Sequence, residues 1–358
     1  MMYTKITFIF GIFLGCIAPN LCAQDADWKS LGPIAFPDNV SGQINGIGRI
    51  TQIKFHPTNS EVLYATSASG GLYRSNNLGE NWTVLGTDSM PHTQLASVCI
   101  DHTNDQILYV GTGDPNYYSS GFGIWKSTNG GISWDQYTTG LANRMAVELI
   151  MDPQDHLKLV AATNGGIFKT TDGGISWVEK LANKAFTDMK KHPENDSIYY
   201  AVTRSEFYRS ADKGETWTEI TNGIAVPGGG DGGGMRLAIS AANEDVVYAS
   251  MIKDEGTVFR SDDAGLSFST VYHNPAQSLV GYNEDGGGQG NYNFGMCADP
   301  TDEDILYVVA HVVWKSTNGG VDWTKLTDWW LVVHTDMHGM EFSPYHTDMM
   351  FNVNDGGI

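Results

Sequence analysis

One segment near the end of the 358-residue chain alternates residue types that bind metals. His334, Asp336 and His338 are spaced two apart, so an extended strand would point all three side chains to the same side. Imidazole nitrogens and a carboxylate are suitable ligands for a divalent metal such as zinc. The same spacing also suits a hydrogen-bonded cluster of histidine and aspartate, because no fourth ligand is evident. A divalent metal is therefore one of two interpretations, and no other cofactor is predicted.

Carboxylates near the starts of predicted strands form a second group. Glu148, Asp188 and Arg236 each lie one residue before an apolar position in three consecutive repeats, described below. Two carboxylates beside an arginine suit the acid and base of a glycosidase. Because buried charges need partners, the three side chains would equally suit a neutralised structural cluster. With Asp114 and Asp336 from two loops, Glu148 and Asp188 are the catalytic candidates.

Aromatic residues beside carboxylates and amides mark several long loops as candidates for ligand binding. These loops span 111–123, 283–294 and 327–339, and Trp329 and Trp330 are the tryptophans without a place in the repeat pattern. Aromatic faces with nearby polar groups suit a carbohydrate or an extended peptide, unless the loops are only connections. The candidate ligand-binding residues are Arg49, Tyr117, Tyr118, Arg236, Asp285, Tyr292, Trp329 and Trp330.

The composition excludes several classes of protein. The chain has 41 acidic and 21 basic residues, a formal net charge of −20, with 41% hydrophobic residues and 42 glycines. That much apolar material can bury a large core, so wholesale disorder is excluded. The acidic balance argues against nucleic acid or an anionic membrane as partner. We expect a monomer whose partner is a glycan or a protein.

One octapeptide recurs six times and positions all of these groups. Its copies begin with Ser or Thr, have Asn or Asp at the third position and Gly at the fifth, and end with Trp or Phe. Their starts are 40–55 residues apart, a period typical of a stacked or circular array of one supersecondary unit. The copies are residues 75–82, 127–134, 170–177, 210–217, 261–268 and 316–323.

Each repeat reads as four short antiparallel strands, which predicts an all-β β-propeller of about seven blades. In the first repeat the strands are expected at 49–55, 62–67, 72–75 and 82–85. The turn after the first strand recurs seven times, but the seventh repeat reaches the end of the sequence before its octapeptide. We therefore expect the last blade to be truncated. Cys99 and Cys297 fall in non-adjacent repeats, so we expect buried thiols rather than a disulfide.

The N-terminus predicts export. Residues 1–23 combine a lysine, a short apolar run and a small-residue cleavage site, which is typical of a signal peptide. Residues 24–47 form an N-terminal segment in which 28–31 match the start of a fourth strand, as expected of a strand that closes the ring. The propeller then spans 48–358. These features predict a secreted or cell-surface protein without a transmembrane segment.

The octapeptides resemble the Asp-box, or bacterial neuraminidase repeat, over nearly the whole chain after the signal peptide. This resemblance implies that the octapeptides are scaffold on the rim opposite the functional face. Sialidases of this group use three arginines, but Arg49, Arg144 and Arg236 differ in register. The first repeat is similar to xyloglucanases, yet Ala68 occupies the place of their catalytic Asp. Residues 42–358 look most like sortilin-type propellers of secreted bacterial proteins.

Two functions follow as expectations. The first is a secreted propeller that binds a glycan or protein ligand on the loop face opposite the octapeptides. The alternative is a glycoside hydrolase, xyloglucanase-like or sialidase-like, that acts on extracellular polysaccharide. In that case the catalytic carboxylates would differ from the one replaced by Ala68.

Overall fold

The computed structural model describes residues 48–116, 121–226, 229, 232–283, 286–328 and 333–358. The predicted signal peptide, the N-terminal segment and its ring-closing strand lie outside the described residues. Within them the protein is a β-propeller built from four-stranded antiparallel blades. In the first blade the strands fall where the repeat pattern predicts them, because alternating apolar residues face the neighbouring blades.

The described residues contain six complete four-stranded blades. In each blade the strands follow one another in chain order and pair with their sequence neighbours. The strands of blades 1–3 are β1 Ile50–Phe55, β2 Leu63–Ser67, β3 Gly71–Ser75, β4 Thr83–Leu85, β5 Leu95–Ile100, β6 Leu108–Thr112, β7 Ile124–Ser127, β8 Asp135–Gln136, β9 Ala146–Asp152, β10 Asp155–Thr163, β11 Gly166–Thr170 and β12 Val178–Ala182. The strands of blades 4–6 are β13 Asp188–Lys191, β14 Tyr199–Val202, β15 Phe207–Ser210, β16 Thr218–Ile220, β17 Met235–Ile239, β18 Val247–Met251, β19 Thr257–Ser261, β20 Ser269–Tyr272, β23 Gly295–Ala298, β24 Leu306–Val309, β25 Val313–Ser316 and β26 Thr324–Lys325.

The expectation of about seven four-stranded blades is corrected to six. A further sheet of two strands, β27 Met337–Phe342 and β28 Met350–Asn354, lies between blade 6 and blade 1, and we name it the closing sheet. Its Met337 packs with Val309 of blade 6. Its Val353 packs with Ile53 of blade 1. The closing sheet therefore completes the ring with half the strands of a blade. The hairpin β21 Gly281–Asn283 and β22 Gly286–Gly288 precedes blade 6.

Apolar residues of the first strands form the contacts between neighbouring blades. One position, predicted to lie in this core, is buried in every repeat and holds Ile53, Val98, Leu149, Met189, Leu237, Met296 and Met340. Fully burying such a side chain contributes about 1.5–3 kcal/mol. Cys99 and Cys297 are free, buried thiols, which confirms the prediction for both. Burial raises the pKa of Cys99 to about 12.

The octapeptides fold into one repeated turn. In all six copies the hydroxyl of the first residue accepts the N–H of the fifth at 2.8–3.0 Å. The side chain of the third residue accepts the N–H of the seventh at 2.8–3.0 Å. Glycine is needed at the fifth position because its φ is 78–90° in every copy. Both acceptors are used by the backbone of the turn, which assigns the octapeptide a structural role.

The octapeptides and the turns after the first strands lie at one end of the propeller. The fourth residue of each octapeptide donates its backbone N–H to a carbonyl of that turn, as Leu78 does to Glu61 at 2.9 Å. The loops between second and third strands and the connections between blades must therefore lie at the other end, which we name the loop end. Among the described residues no helix has the length and apolar character that a bilayer crossing needs.

Candidate functional site

A hydrogen-bonded network at the loop end joins residues from four parts of the ring, and we name it the apical network. Arg49 lies just before β1, and Asp114 and Asn116 follow β6 of blade 2. Tyr292 lies in the connection before blade 6. The closing sheet contributes the last two members. These are His338 on β27 and Asp355 immediately after β28.

Arg49 connects two carboxylates of this network. Its guanidinium binds Asp114 through both terminal nitrogens, one of them at 3.0 Å, in a bidentate ion pair. The Nε of Arg49 lies 4.0 Å from Oδ1 of Asp355. The guanidinium also lies over the ring of Tyr292, 5.4 Å from its centroid. Asp114 is buried, whereas the side chain of Asp355 is 27% exposed, so of these two carboxylates Asp355 is the one that a ligand can reach.

Asp355 is held in its charged form. The Tyr292 hydroxyl donates to both of its oxygens, at 2.8 and 3.0 Å, and Nε2 of His338 lies 2.7 Å from Oδ1. Burial opposes ionisation of Asp355. The hydrogen bonds from His338 and Tyr292 and the nearby charge of Arg49 outweigh burial and hold the pKa of Asp355 below its usual value. A partly exposed carboxylate that stays charged is available to accept a hydrogen bond from a ligand.

Asp336 lies beside the apical network but has different partners. Its Oδ1 lies 3.1 Å from Nδ1 of His311 and accepts from the amide of Asn293 at 2.9 Å. The backbone N–H of Asp355 donates to the Asp336 carbonyl at 3.2 Å, which places the two aspartates side by side. The side chain of Asp336 is 21% exposed. The loop end therefore presents two partly exposed aspartates.

The prediction that His334, Asp336 and His338 lie on one extended strand is wrong. β27 begins only at Met337, and Asp336 has a φ of +59°, which no extended strand contains. His334 consequently contacts the carbonyl of Thr335 at 2.8 Å, while His338 contacts Asp355. No three His, Cys, Asp or Glu residues are arranged to hold a metal in the part of the chain that the structure describes.

A second ionic cluster lies deeper, inside the central channel, and we name it the channel cluster. Lys54 of blade 1 reaches across to Glu148 of blade 3 at 3.1 Å, and the amide of Gln52 donates to the same carboxylate at 2.7 Å. Lys190 of blade 4 pairs with Glu341 of the closing sheet at 2.9 Å. Both pairs join non-adjacent sheets, so they span the channel.

The two carboxylates of the channel cluster experience opposite electrostatic effects. Burial is the main influence on Glu148 and raises its pKa, against the attraction of Lys54 and Lys190. Burial also acts on Glu341, but the charge of Lys190 outweighs it and lowers the pKa of Glu341. Asp188 accepts the backbone N–H of Leu237 at 2.9 Å. These contacts satisfy the carboxylates internally, as expected of a neutralised structural cluster.

One cavity links the two clusters. Its volume is about 90 Å³. Six of the seven residues that precede the buried first-strand position line it, namely Gln52, Glu148, Asp188, Arg236, Gly295 and Gly339, together with Asn116, Lys190, His338 and Glu341. The predicted inward-facing column is thus found at the channel. Arg236 donates Nε to the carbonyl of Phe294 at 3.1 Å.

The structure divides the sequence-predicted site residues between the apical network and the channel. Arg49, Asp114, Tyr292 and His338 meet in the apical network, with Asp336 beside it, whereas Glu148, Asp188 and Arg236 lie in the channel. The predictions for Tyr117, Tyr118, Asp285, Trp329 and Trp330 concern positions outside the described residues.

Sequence reasoning missed Asp355, Lys54, Lys190 and Glu341 as site residues. Lys54, Lys190 and Glu341 lie two positions after members of the inward-facing column, so strand alternation alone could have found them. The signal for Asp355 was its place in the Asn-Asp-Gly-Gly turn of the last repeat.

Comparison with curated proteins gives two xyloglucanases. No family model matches the chain. A xyloglucanase of Hypocrea jecorina is 30% identical over 147 residues, covering 38% of this chain and 17% of that protein. A xyloglucanase of a Paenibacillus species is 23% identical over 347 residues, covering 82% of this chain and 32% of that protein. The chain thus spans a third or less of the length of these curated relatives.

A solved structure supports the fold. The GH74 xyloglucanase of Xanthomonas campestris superposes with a TM-score of 0.63 at 18% identity, covering 88% of this chain and 52% of that one. At this identity the similarity establishes the fold, and any activity must be argued from the residues of the site. The chain is accordingly a β-propeller similar in fold to part of the GH74 xyloglucanases.

Proposed function

We propose that the protein is a secreted glycoside hydrolase of xyloglucanase-like type, which binds a β-glucan polysaccharide across the loop end and cleaves its glycosidic bonds there. The observation that carries the proposal is Asp355, a partly exposed carboxylate kept ionised by His338, Tyr292 and Arg49 at the mouth of the channel. The similarity to two xyloglucanases favours the substrate class.

The chemistry requires two carboxyl groups in different roles. Asp355 is assigned as the base, because it is partly exposed at the loop end and its lowered pKa keeps it in the unprotonated form that a base requires. Asp336 is assigned as the second carboxyl group of the site, because it is the adjacent and partly exposed one. Arg49 orients the site through its contacts with Asp114 and Tyr292. Stacking of sugar rings is assigned to Tyr117, Tyr118, Trp329 and Trp330, and polar contacts to Arg236 and Asp285.

This proposal moves the catalytic carboxylates away from the place that the xyloglucanase resemblance implies. Ala68, between β2 and β3 of blade 1, stands where that family's Asp is expected and is buried. The corresponding turn of the closing sheet carries Asp355 instead. The octapeptides are proposed to be Asp-boxes that act as scaffold. Ala68 is also the observation that favours the second candidate, a sortilin-type propeller that binds a glycan without cleaving it.

The two candidates are separated by measuring hydrolysis and binding on the same proteins. We expect purified protein to release reducing ends from xyloglucan or a related β-glucan, and Asp355→Asn to bind the polysaccharide without cleaving it. The matched control is Asp348→Asn, which alters an exposed aspartate in the turn at the opposite end of the closing sheet. Binding by the wild type with no release across plant and microbial glucans would replace the hydrolase with the binding protein. Absence of both would reject the glycan proposal.

Export is proposed from residues 1–23. Expression of the full sequence in a bacterial host with a Sec pathway should yield protein outside the cytoplasm, with Gln24 as its first residue. An unprocessed cytoplasmic product would contradict this.

A further inference from the structure

We propose that Asn116 is a positioning residue that fixes the tautomer of His338 and thereby directs the Nε2 proton of His338 at Asp355. This inference rests on the proposed role of Asp355 for its effect on activity. The tautomer itself follows from the contacts alone and can be tested without any substrate.

The orientation of the Asn116 side chain is set by a backbone carbonyl. Its Nδ2 is hydrogen-bonded to the carbonyl oxygen of Tyr292 and lies 2.9 Å from Nδ1 of His338. A carbonyl oxygen can only accept, so the amide group that faces it must be the NH₂ and not the oxygen. The amide therefore donates toward the imidazole as well.

The amide determines which imidazole nitrogen carries the proton. Because the NH₂ of Asn116 donates to Nδ1, that nitrogen must be unprotonated and accept. A neutral imidazole carries one N–H, so the proton of His338 resides on Nε2. Nε2 lies 2.7 Å from Oδ1 of Asp355, and the N–H there gives the carboxylate a donor. The order of donation is Asn116 to His338 to Asp355.

Without Asn116 the local structure favours the other tautomer. Nδ1 of His338 also lies 3.2 Å from the Tyr292 carbonyl, which is a ready acceptor for an Nδ1 proton. If the proton moved there, the lone pair of Nε2 would face the Asp355 carboxylate, and a donor would be replaced by a repulsive contact. Asn116 prevents this by binding the Tyr292 carbonyl and Nδ1 together.

Asn116 is itself held in place by the apical network. Its backbone N–H donates to Oδ1 of Asp114 at 3.0 Å, and Asp114 is clamped by Arg49. Asn116 is 8% exposed, so solvent has little access to replace its amide. The Arg49–Asp114 ion pair therefore acts on Asp355 by a second route, through the position of Asn116.

The test combines nitrogen NMR of His338 with kinetics. We expect ¹⁵N shifts of the neutral His338 ring to report the Nε2–H tautomer in the wild type. Asn116→Ala should move them toward Nδ1–H, and Asn116→Asp, whose carboxylate can only accept, should place a proton on Nδ1. The control Asn352→Ala removes an amide that donates to the Gly339 carbonyl at 3.2 Å, and it should leave the tautomer unchanged.

The kinetic arm measures kcat and KM with thermal unfolding as the check on folding. Asn116→Ala should lower kcat by about 10-fold with little change in KM, because Asp355 loses a charge-assisted donor. An unchanged Nε2–H tautomer in Asn116→Ala would overturn the inference whatever the activity. A shifted tautomer with no glycan hydrolysis in the wild type would keep the tautomer assignment and reject the proposed function instead.

Discussion

The apical network and the channel cluster share one cavity, yet the pKa of Asp355 in the first and the pKa of Glu148 in the second are shifted in opposite directions. Asp355, 27% exposed, has two hydrogen-bond donors and an arginine nearby, and its pKa is lowered. Glu148 is almost fully buried and has Gln52 and Lys54 as partners, and its pKa is raised. Around Asp355 the donors outweigh partial burial, whereas Gln52 and Lys54 do not outweigh the near-complete burial of Glu148. This difference assigns reactivity to the loop end and bracing to the channel.

The largest expected effect distinguishes the two clusters by activity. Asp355→Asn should lower kcat for glucan hydrolysis by roughly 10²–10⁴-fold, because an amide cannot accept the proton of the attacking water. Glu148→Gln should keep most of the activity, since the carboxyl group it replaces faces Lys54 and Gln52 and not the loop end. Initial rates of reducing-end release measure both. The reverse ranking would move the catalytic centre into the channel.

The second effect concerns stability. Lys190 interacts with Glu341, Asp188 and Glu148, and these charges raise its pKa although burial opposes this. Lys190→Met leaves those carboxylates without their shared cation and should lower the free energy of unfolding by about 2–4 kcal/mol in urea titrations. Lys158→Met, which removes an exposed pairing with Asp155, serves as control and should change nothing measurable. Equal stability of the two variants would show that the channel pairs do not brace the ring.

Much of the fold and part of the candidate site could be predicted from the sequence, and the parts that could not be predicted have physical causes. The repeat period and strand alternation predicted the blades and the inward-facing column with Glu148 and Asp188. Four of the six residues of the apical network were predicted as site residues, but their grouping was not, because they come from positions up to 306 residues apart, as with Arg49 and Asp355. Residue spacing predicts which side chains share one face of a strand. Closure of the ring, by contrast, brings together residues that no local sequence pattern connects.

Two local features illustrate the same limit. The metal hypothesis assumed that residues 334–338 are one strand, but the positive φ of Asp336 turns its side chain toward His311 and Asn293. The last blade, expected to be truncated, has the two strands β27 and β28 in the described residues. Metal analysis of the purified protein, with His334→Ala as the comparison, still tests the first hypothesis directly.

The third prediction uses pH to separate the clusters. A lowered pKa in the folded state means that Asp355 stabilises the fold above the usual aspartate value of 3.8, and this contribution is lost as pH falls further. A raised pKa has the opposite effect, so Glu148 increasingly lowers the free energy of unfolding as pH rises above the usual glutamate value of 4.5. In the wild type, Asp355 should make the free energy of unfolding fall toward pH 3, and Glu148 should make it fall toward pH 7. The fall toward pH 3 should therefore be smaller in Asp355→Asn, and the fall toward pH 7 should be smaller in Glu148→Gln. The same change in the pH dependence of the unfolding free energy in both variants would contradict opposite pKa shifts of Asp355 and Glu148.

The smallest effect tests what Tyr292 contributes to the contrast. Tyr292→Phe keeps the ring beneath the Arg49 guanidinium but removes the hydroxyl that donates to Asp355. Because His338 and Arg49 still hold the carboxylate, kcat should fall by only about 3-fold, with KM unchanged. Steady-state kinetics on a soluble glucan oligosaccharide measures both constants. A rise in KM at constant kcat would instead make Tyr292 a sugar-contacting residue, and the low pKa of Asp355 would then depend on His338 and Arg49 alone.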